Sequence, residues 1–181
     1  GKKPLLELVS RSFLDGHRGD HVVIETEWLR EKHAGLIALA GRESDIGQSL
    51  LANNEDDAGK RLAQWMALFR DRFYLEITRT GRQGEAQFEH GALKLAKMLR
   101  CPVVASNDVR FLDREDFDAH EARVCIATGR RLGDPKRPRD YTPEQYLKSP
   151  EEMAALFADL PGALANSVEI AKRCSLEPIF S

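Results

Sequence analysis

Residues 73–78 read FYLEIT, a run of aromatic and branched side chains with little polar interruption. Such residues fit a pleated strand. Two similar runs stand on either side of it. Residues 35–40 read GLIALA, with no polar alternation, as expected of a strand buried on both faces, and Gly41 ends it. Residues 103–106 read VVAS and are opened by Pro102, which a strand tolerates at its start because the first amide is often unpaired. Helical patterns separate the three runs at intervals of roughly thirty residues, the rhythm of βαβ units and a parallel sheet. The fold class is therefore α/β. Three strands are too few to close a barrel, so the rhythm also hints at partner strands beyond these three.

The helical patterns are read from apolar spacing. Residues 4–15 carry Leu5, Leu6, Val9 and Phe13 on one face, with Gly16 as a stop. Short helices are expected over 26–32 and 45–52. A stronger one spans 55–70, with Leu62, Trp65, Met66 and Phe69 in register, and another spans 85–99, with Phe88, Ala92, Leu95 and Leu99 on one side. Residues 114–128 read as helix. Residues 129–148 read as irregular, with Pro135, Pro138 and Pro143. Ser149-Pro150-Glu151-Glu152 is a capping box with proline at the first helical position. The helix it starts is interrupted by Pro161, and a last helix covers 162–174, with Lys172 and Arg173 near its negative end.

The sequence has 181 residues, 42% hydrophobic and 31% charged, an ordinary balance for one globular domain or most of one. A net charge of −2 supplies no global attraction to nucleic acid or anionic lipid, so any basic surface must be local. Cys101, Cys125 and Cys174 form no CxxC pair or disulfide framework, which makes a reducing cytoplasm the expected compartment. No apolar run approaches the roughly 18 residues of a membrane span. The first residues, GKKP, lack the apolar core of a signal peptide and read as a cut inside a longer chain.

In parallel α/β proteins, ligands gather beyond the carboxyl ends of the strands. Here those ends are Gly41-Arg42-Glu43, Thr78-Arg79-Thr80 and Ser106-Asn107-Asp108-Val109-Arg110. Asp108 there is placed to serve a metal or substrate. The plainer reading is that Asn107 and Asp108 turn the chain and cap amides. The histidines do not cluster. His17 and His21 are separated by Gly19, His33 is beside a loop, and His90 and His120 fall on helices, so each reads as a surface or satisfied core residue rather than a ligand. Cys101 and Cys125 read as packing residues, and Ser44 and Ser106 lack a histidine–carboxylate relay. There is no GxxxxGK[ST] or GxGxxG motif. Residues 130–139 (RRLGDPKRPR) hold five basic residues, Arg130, Arg131, Lys136, Arg137 and Arg139, and one acidic one. They are either a contact for a phosphate backbone or acidic segment, or a solvated loop.

Residues 71–82 (DRFYLEITRTGR), residues 35–52 (GLIALAGRESDIGQSLLA) and the ordered set NDVRF, DPKRPR, YLKSPEEM and ALANSVEIAKRC within 101–174 resemble the bacterial DNA polymerase III alpha subunit family, in the later part of its PHP (polymerase and histidinol phosphatase) domain. The resemblance covers nearly the whole sequence. It implies part of a distorted seven-stranded PHP-type barrel with parallel strands and flanking helices: a partial barrel over 1–149 and a C-terminal helical extension over 150–181. It implies a DNA-directed DNA polymerase as parent, requiring magnesium. It further implies a PHP domain that buttresses the polymerase and docks the epsilon proofreading exonuclease. The expected partners are that subunit, the rest of the alpha chain, and the replisome and DNA through the parent, with no membrane. In family members with an intact site, strand-end His, Asp, Glu and Cys residues hold metal ions. Asp108 matches the family aspartate, but the histidine two residues on is Arg110 here, and the cysteine position falls at Gly41 or Arg42. A guanidinium offers no lone pair to a metal. The resemblance thus implies a degenerate site at Asp108, Arg110 and Arg42, with Asp108 paired to Arg110 or Arg42 and no catalytic residue, metal or cofactor in this segment. The alternative is a metal-dependent phosphoesterase, a pyrophosphatase or nuclease, retaining residual activity.

Overall fold

The computed structural model describes residues 2–19 and 21–174, so the end of the expected 150–181 extension lies outside the described residues. The chain is a mixed α/β structure. Its elements in order are helix α1 (Lys2–Asp15), strands β1 (His17–Arg18) and β2 (His21–Val22), helix α2 (Thr26–Lys32), strand β3 (Ala38–Ala40), helices α3 (Asp45–Leu51) and α4 (Glu55–Phe69), strand β4 (Phe73–Thr78), helix α5 (Glu85–Leu99), strand β5 (Val103–Ser106), and helices α6 (Phe117–Thr128), α7 (Pro150–Leu156) and α8 (Pro161–Arg173).

The three expected strands form one parallel sheet in the order β3-β4-β5. Among the described residues this sheet is open. Its register aligns Ala40 with Leu75 and Leu75 with Val103, so these side chains share one face with Phe73, Ile77 and Ala105. That face is the core. Ile46 and Leu50 from α3, Leu62 and Phe69 from α4, Phe88 and Leu95 from α5, and Phe157 are buried against it. Removing each such side chain from water contributes about 1.5–3 kcal/mol. Helix α8 closes the β5 side: Asn166 Nδ2 donates to the Val103 carbonyl at 2.7 Å, and Arg173 reaches the Asp71 carbonyl and the Tyr74 hydroxyl at 3.0 and 2.9 Å.

One expectation is corrected and two features are added. The 35–40 run is a strand only over Ala38–Ala40, and Leu39 is 44% exposed rather than buried, because β3 is the edge of the described sheet. Helix α1 packs through Leu8 and Ser12, while Leu5, Leu6, Val9 and Phe13 face outward. Strands β1 and β2, for which no element was expected, pair antiparallel, His17 with Val22 and Arg18 with His21. The capping box at Ser149 is present as expected. Ser149 Oγ accepts the Glu152 amide at 3.2 Å, and a Glu152 carboxylate oxygen accepts the Ser149 amide at 2.7 Å.

Candidate functional site

The parallel register brings the carboxyl ends of β4 and β5 together, with Thr78 opposite Ser106. What lies beyond those ends is set by two loops. After β4 the chain turns through Thr80, Gly81 and Arg82, whose amides all donate to one oxygen of Glu85 at 2.7, 2.9 and 3.3 Å. Gly81 and Gly84 have φ of +77 and +83, the left-handed region that glycine adopts without penalty. Three convergent amides make an anion-binding nest, and the chain fills it with its own carboxylate. The other Glu85 oxygen accepts the hydroxyls of Thr78 and Thr80 at 2.9 and 2.7 Å. Burial, the largest single influence, raises the Glu85 pKa. The Thr80 and Thr78 hydroxyls, the Thr80 amide and the charge of Arg82 outweigh it and hold the carboxyl below its ordinary range.

Arg82 is the hinge of the site. Its Nε lies 3.3 Å from Glu85 Oε1 and 3.2 Å from Thr80 Oγ1, and its Nη1 meets Asp108 Oδ2 at 2.9 Å. The second oxygen of Asp108 is taken by Arg110 Nη2 at 2.8 Å. Gln145, fully buried, donates from Nε2 to the Asp108 carbonyl at 3.2 Å and to Oδ2 at 3.0 Å. Asp108 holds a φ of +44, uncommon for a residue with a side chain and maintained here by these contacts. The guanidinium of Arg110 also sits 5.5 Å over the Tyr141 ring. The result is a continuous chain of charges, Glu85–Arg82–Asp108–Arg110.

The segment after α6 braces this chain. Asn107 is buried, and its Nδ2 donates to the carbonyls of Glu144 and Tyr146 at 2.9 and 2.8 Å; the Arg110 amide reaches the Gln145 carbonyl at 2.8 Å. Asn107 therefore holds backbone carbonyls rather than capping amides, and the Asp108 carboxylate meets side chains. On the other side, Glu76 of β4 accepts the Ser106 hydroxyl at 2.7 Å. A Cβ placed on Gly41, one of the two positions weighed for the cysteine, would lie 3.2 Å from the second Glu76 oxygen, the movable end of that side chain.

Asp108 and Arg110 are thus brought together, but the expected alternative partner, Arg42, is not. Its Nη1 donates to the Gln83 carbonyl at 2.6 Å, and its Nη2 pairs with Glu43. Arg82 takes the place reasoned for it. Its role follows from the pairing of β4 with β5, which sets a basic residue four positions past β4 beside the end of β5. Arg79, at the same strand end, turns away to Glu89 and Asp159 and stacks 4.8 Å over Phe157. Of the basic loop, Arg137 points inward to Glu121, Arg130 lies 3.9 Å from Asp134, and Arg131, Lys136 and Arg139 are exposed. His120 is buried between Phe111 and Tyr141, and His90 lines a polar surface pocket beside Gln87.

The donor set does not suit a metal ion. Both oxygens of Asp108 face guanidinium groups, and Glu85 is saturated by amides and hydroxyls. Among the described residues no three His, Cys, Asp or Glu side chains converge as a ligand group. No described helix is long and apolar enough to cross a membrane.

A family model described as PHP domain matches residues 1–80. Among curated proteins, DNA polymerase III subunit alpha of Pseudomonas fluorescens is 53% identical over 178 residues, covering 98% of this chain and 15% of the relative. The protein of the same name from Pseudomonas aeruginosa is 52% identical over 178 residues, with the same shares of 98% and 15%. That of Escherichia coli strain K12 is 49% identical over 177 residues, covering 97% of this chain and 15% of the relative. The chain therefore spans 15% of the length of the curated relatives it matches.

Proposed function

We propose that this chain is part of a DNA polymerase III alpha subunit, the proteins it matches over nearly its whole length, and that it acts as a non-catalytic scaffold within that DNA-directed DNA polymerase. In the parent, the three-stranded sheet is completed into the distorted seven-stranded PHP barrel by further strands. The barrel buttresses the polymerase and docks the epsilon proofreading exonuclease. Nucleotide transfer, with its magnesium, belongs to other parts of the parent, which works in the cytoplasm on DNA.

One observation carries this reading. The strand ends, where a metallo-phosphoesterase needs open carboxylates, hold the Glu85–Arg82–Asp108–Arg110 chain instead. Arginine keeps its proton in proteins and cannot coordinate a cation, so two fixed positive charges do what metal ions would do electrostatically, without activating water. Such a site ties β4, β5 and the 142–148 segment into one rigid body suited to bearing other subunits.

The test is a binding titration between the full-length alpha subunit carrying this segment and the exonuclease subunit, run with and without a metal chelator. Saturable binding that the chelator leaves unchanged is the expected result. An alpha subunit that fails to bind the exonuclease, or binds it only with metal present, would overturn the scaffold reading.

A further inference from the structure

The charged side chains of this molecule are mostly spent on one another, and the exceptions are not scattered evenly. Among the described residues, the arginines outside any ion pair are Arg30, Arg70, Arg100, Arg123, Arg131 and Arg139. Three of the six lie on the outer face of α6 and the loop that follows it. Arg123 stands one turn before the exposed Ile126 on the outer face of α6, and Arg130 is exposed just past the Gly129 cap that ends the helix. Arg131, Lys136 and Arg139 are exposed on the loop beyond.

The loop is built rather than loose. Arg137 is its one inward-facing base: it pairs with Glu121 of α6, both side chains at least nine-tenths buried, and its Nε donates to the Leu132 carbonyl at 3.2 Å. The Asp134 carboxylate accepts the Lys136 amide at 2.8 Å, and the Asp134 amide reaches the Arg131 carbonyl at 3.0 Å. The Arg130 amide reaches the Cys125 carbonyl at 2.8 Å. One basic residue is thus consumed in holding the turn, and its neighbours are presented to solvent on a fixed backbone. The exposed lysine and arginines lose less side-chain freedom on meeting a ligand than they would on a floppy segment.

We propose that this surface, formed by Arg123, Arg130, Arg131, Lys136 and Arg139, binds the phosphodiester backbone of a nucleic acid. Arginine forks onto phosphate and carboxylate oxygens alike, so shape decides between a phosphodiester backbone and an acidic peptide. The cavity beside the loop, lined by Val124, Cys125, Thr128 and Arg137 among others, is about 240 Å³. That is below the roughly 300–1,000 Å³ of a site that buries a ligand, so the surface offers charge without a groove. No aromatic residue lies between positions 121 and 140 to stack on a base, and the exposed groups are cations suited to phosphates, so recognition is of backbone and not of sequence. The scaffold reading does not require this surface, and each can fail alone.

The experiment is fluorescence anisotropy of a labelled random-sequence DNA duplex titrated with the full chain at several salt concentrations. The wild type is expected to bind with an affinity that falls steeply as salt rises. The variant carrying Arg131→Gln, Lys136→Gln and Arg139→Gln is expected to flatten the log–log salt slope by about 2.7, from roughly 0.9 per lost phosphate contact. The control carries Arg30→Gln, Arg70→Gln and Arg100→Gln, the same loss of charge elsewhere, and should keep the wild-type slope. Circular dichroism confirms that both variants fold; all six positions are exposed on the surface. No binding by the folded wild type at low salt, or an equal loss in the control, overturns the proposal. So does competition by a polyaspartate peptide, or by anionic vesicles, as effective as that by unlabelled DNA of equal charge.

Discussion

Replacing Arg82 by methionine isolates the member on which the strand-end network turns. The substitution keeps much of the side-chain volume and removes the charge. Asp108 would lose the partner at 2.9 Å but keep Arg110 and Gln145; Glu85 would lose the guanidinium at 3.3 Å but keep its amides and hydroxyls. Removing one partner of a fully buried pair costs about 3–5 kcal/mol. The Arg82 side chain is 12% exposed and that of Asp108 26%, so water relieves part of the penalty, and the expected loss is about 2 kcal/mol. The assay is urea unfolding followed by circular dichroism, for Arg82→Met, Asp108→Asn and the double variant. A coupling of about 1–2 kcal/mol between the two positions is expected, well above the roughly 0.3–0.5 kcal/mol within which independent sites add. Additive losses, or an Arg82→Met protein as stable as the wild type, would show that the network holds nothing together.

Acid should unfold the chain in part through Glu85. Its folded pKa lies below the ordinary carboxylate value, so its contribution is fully present above about pH 4.3 and is lost as pH falls through the depressed folded value; Glu85→Gln should remove that component from stability measured against pH. Burial pushes the Cys101 thiol up to about 11, and Cys125 is also buried, whereas Cys174 is exposed. Iodoacetamide at neutral pH, read by mass spectrometry, should therefore modify Cys174 first and Cys101 only on unfolding. Ser149→Ala should cost about 1 kcal/mol in urea unfolding by opening the capping box of α7, and Ser149→Thr should recover most of it.

Much of the fold was legible because it rests on periodicity. The β4 run, the face of α5 with Phe88, Ala92 and Leu95, and the Ser149 cap are local patterns, and local patterns survive folding. Burial was harder to read. Leu39 and the α1 residues Leu5, Leu6, Val9 and Phe13 are apolar, yet their exposure depends on what lies beside them, which no local pattern encodes. The paired strands β1 and β2 are two residues each, too short for alternation to register. At the site, Asp108 was legible from its place just past a strand, and its pairing with Arg110 from the family resemblance. Arg82 was missed because its role depends on the register between β4 and β5, and Gln145 because it comes from a loop 37 residues away whose irregular sequence gave no sign that it folds back.

The claim beneath the whole account is that guanidinium groups hold the Asp108 carboxylate where a cation would otherwise sit. Anomalous X-ray diffraction from crystals of this chain equilibrated with manganese tests it most directly. The expected map shows Asp108 between Arg82 and Arg110, with no anomalous peak within coordinating distance of its oxygens. A strong peak bound to Asp108, with either arginine displaced from it, would contradict the account.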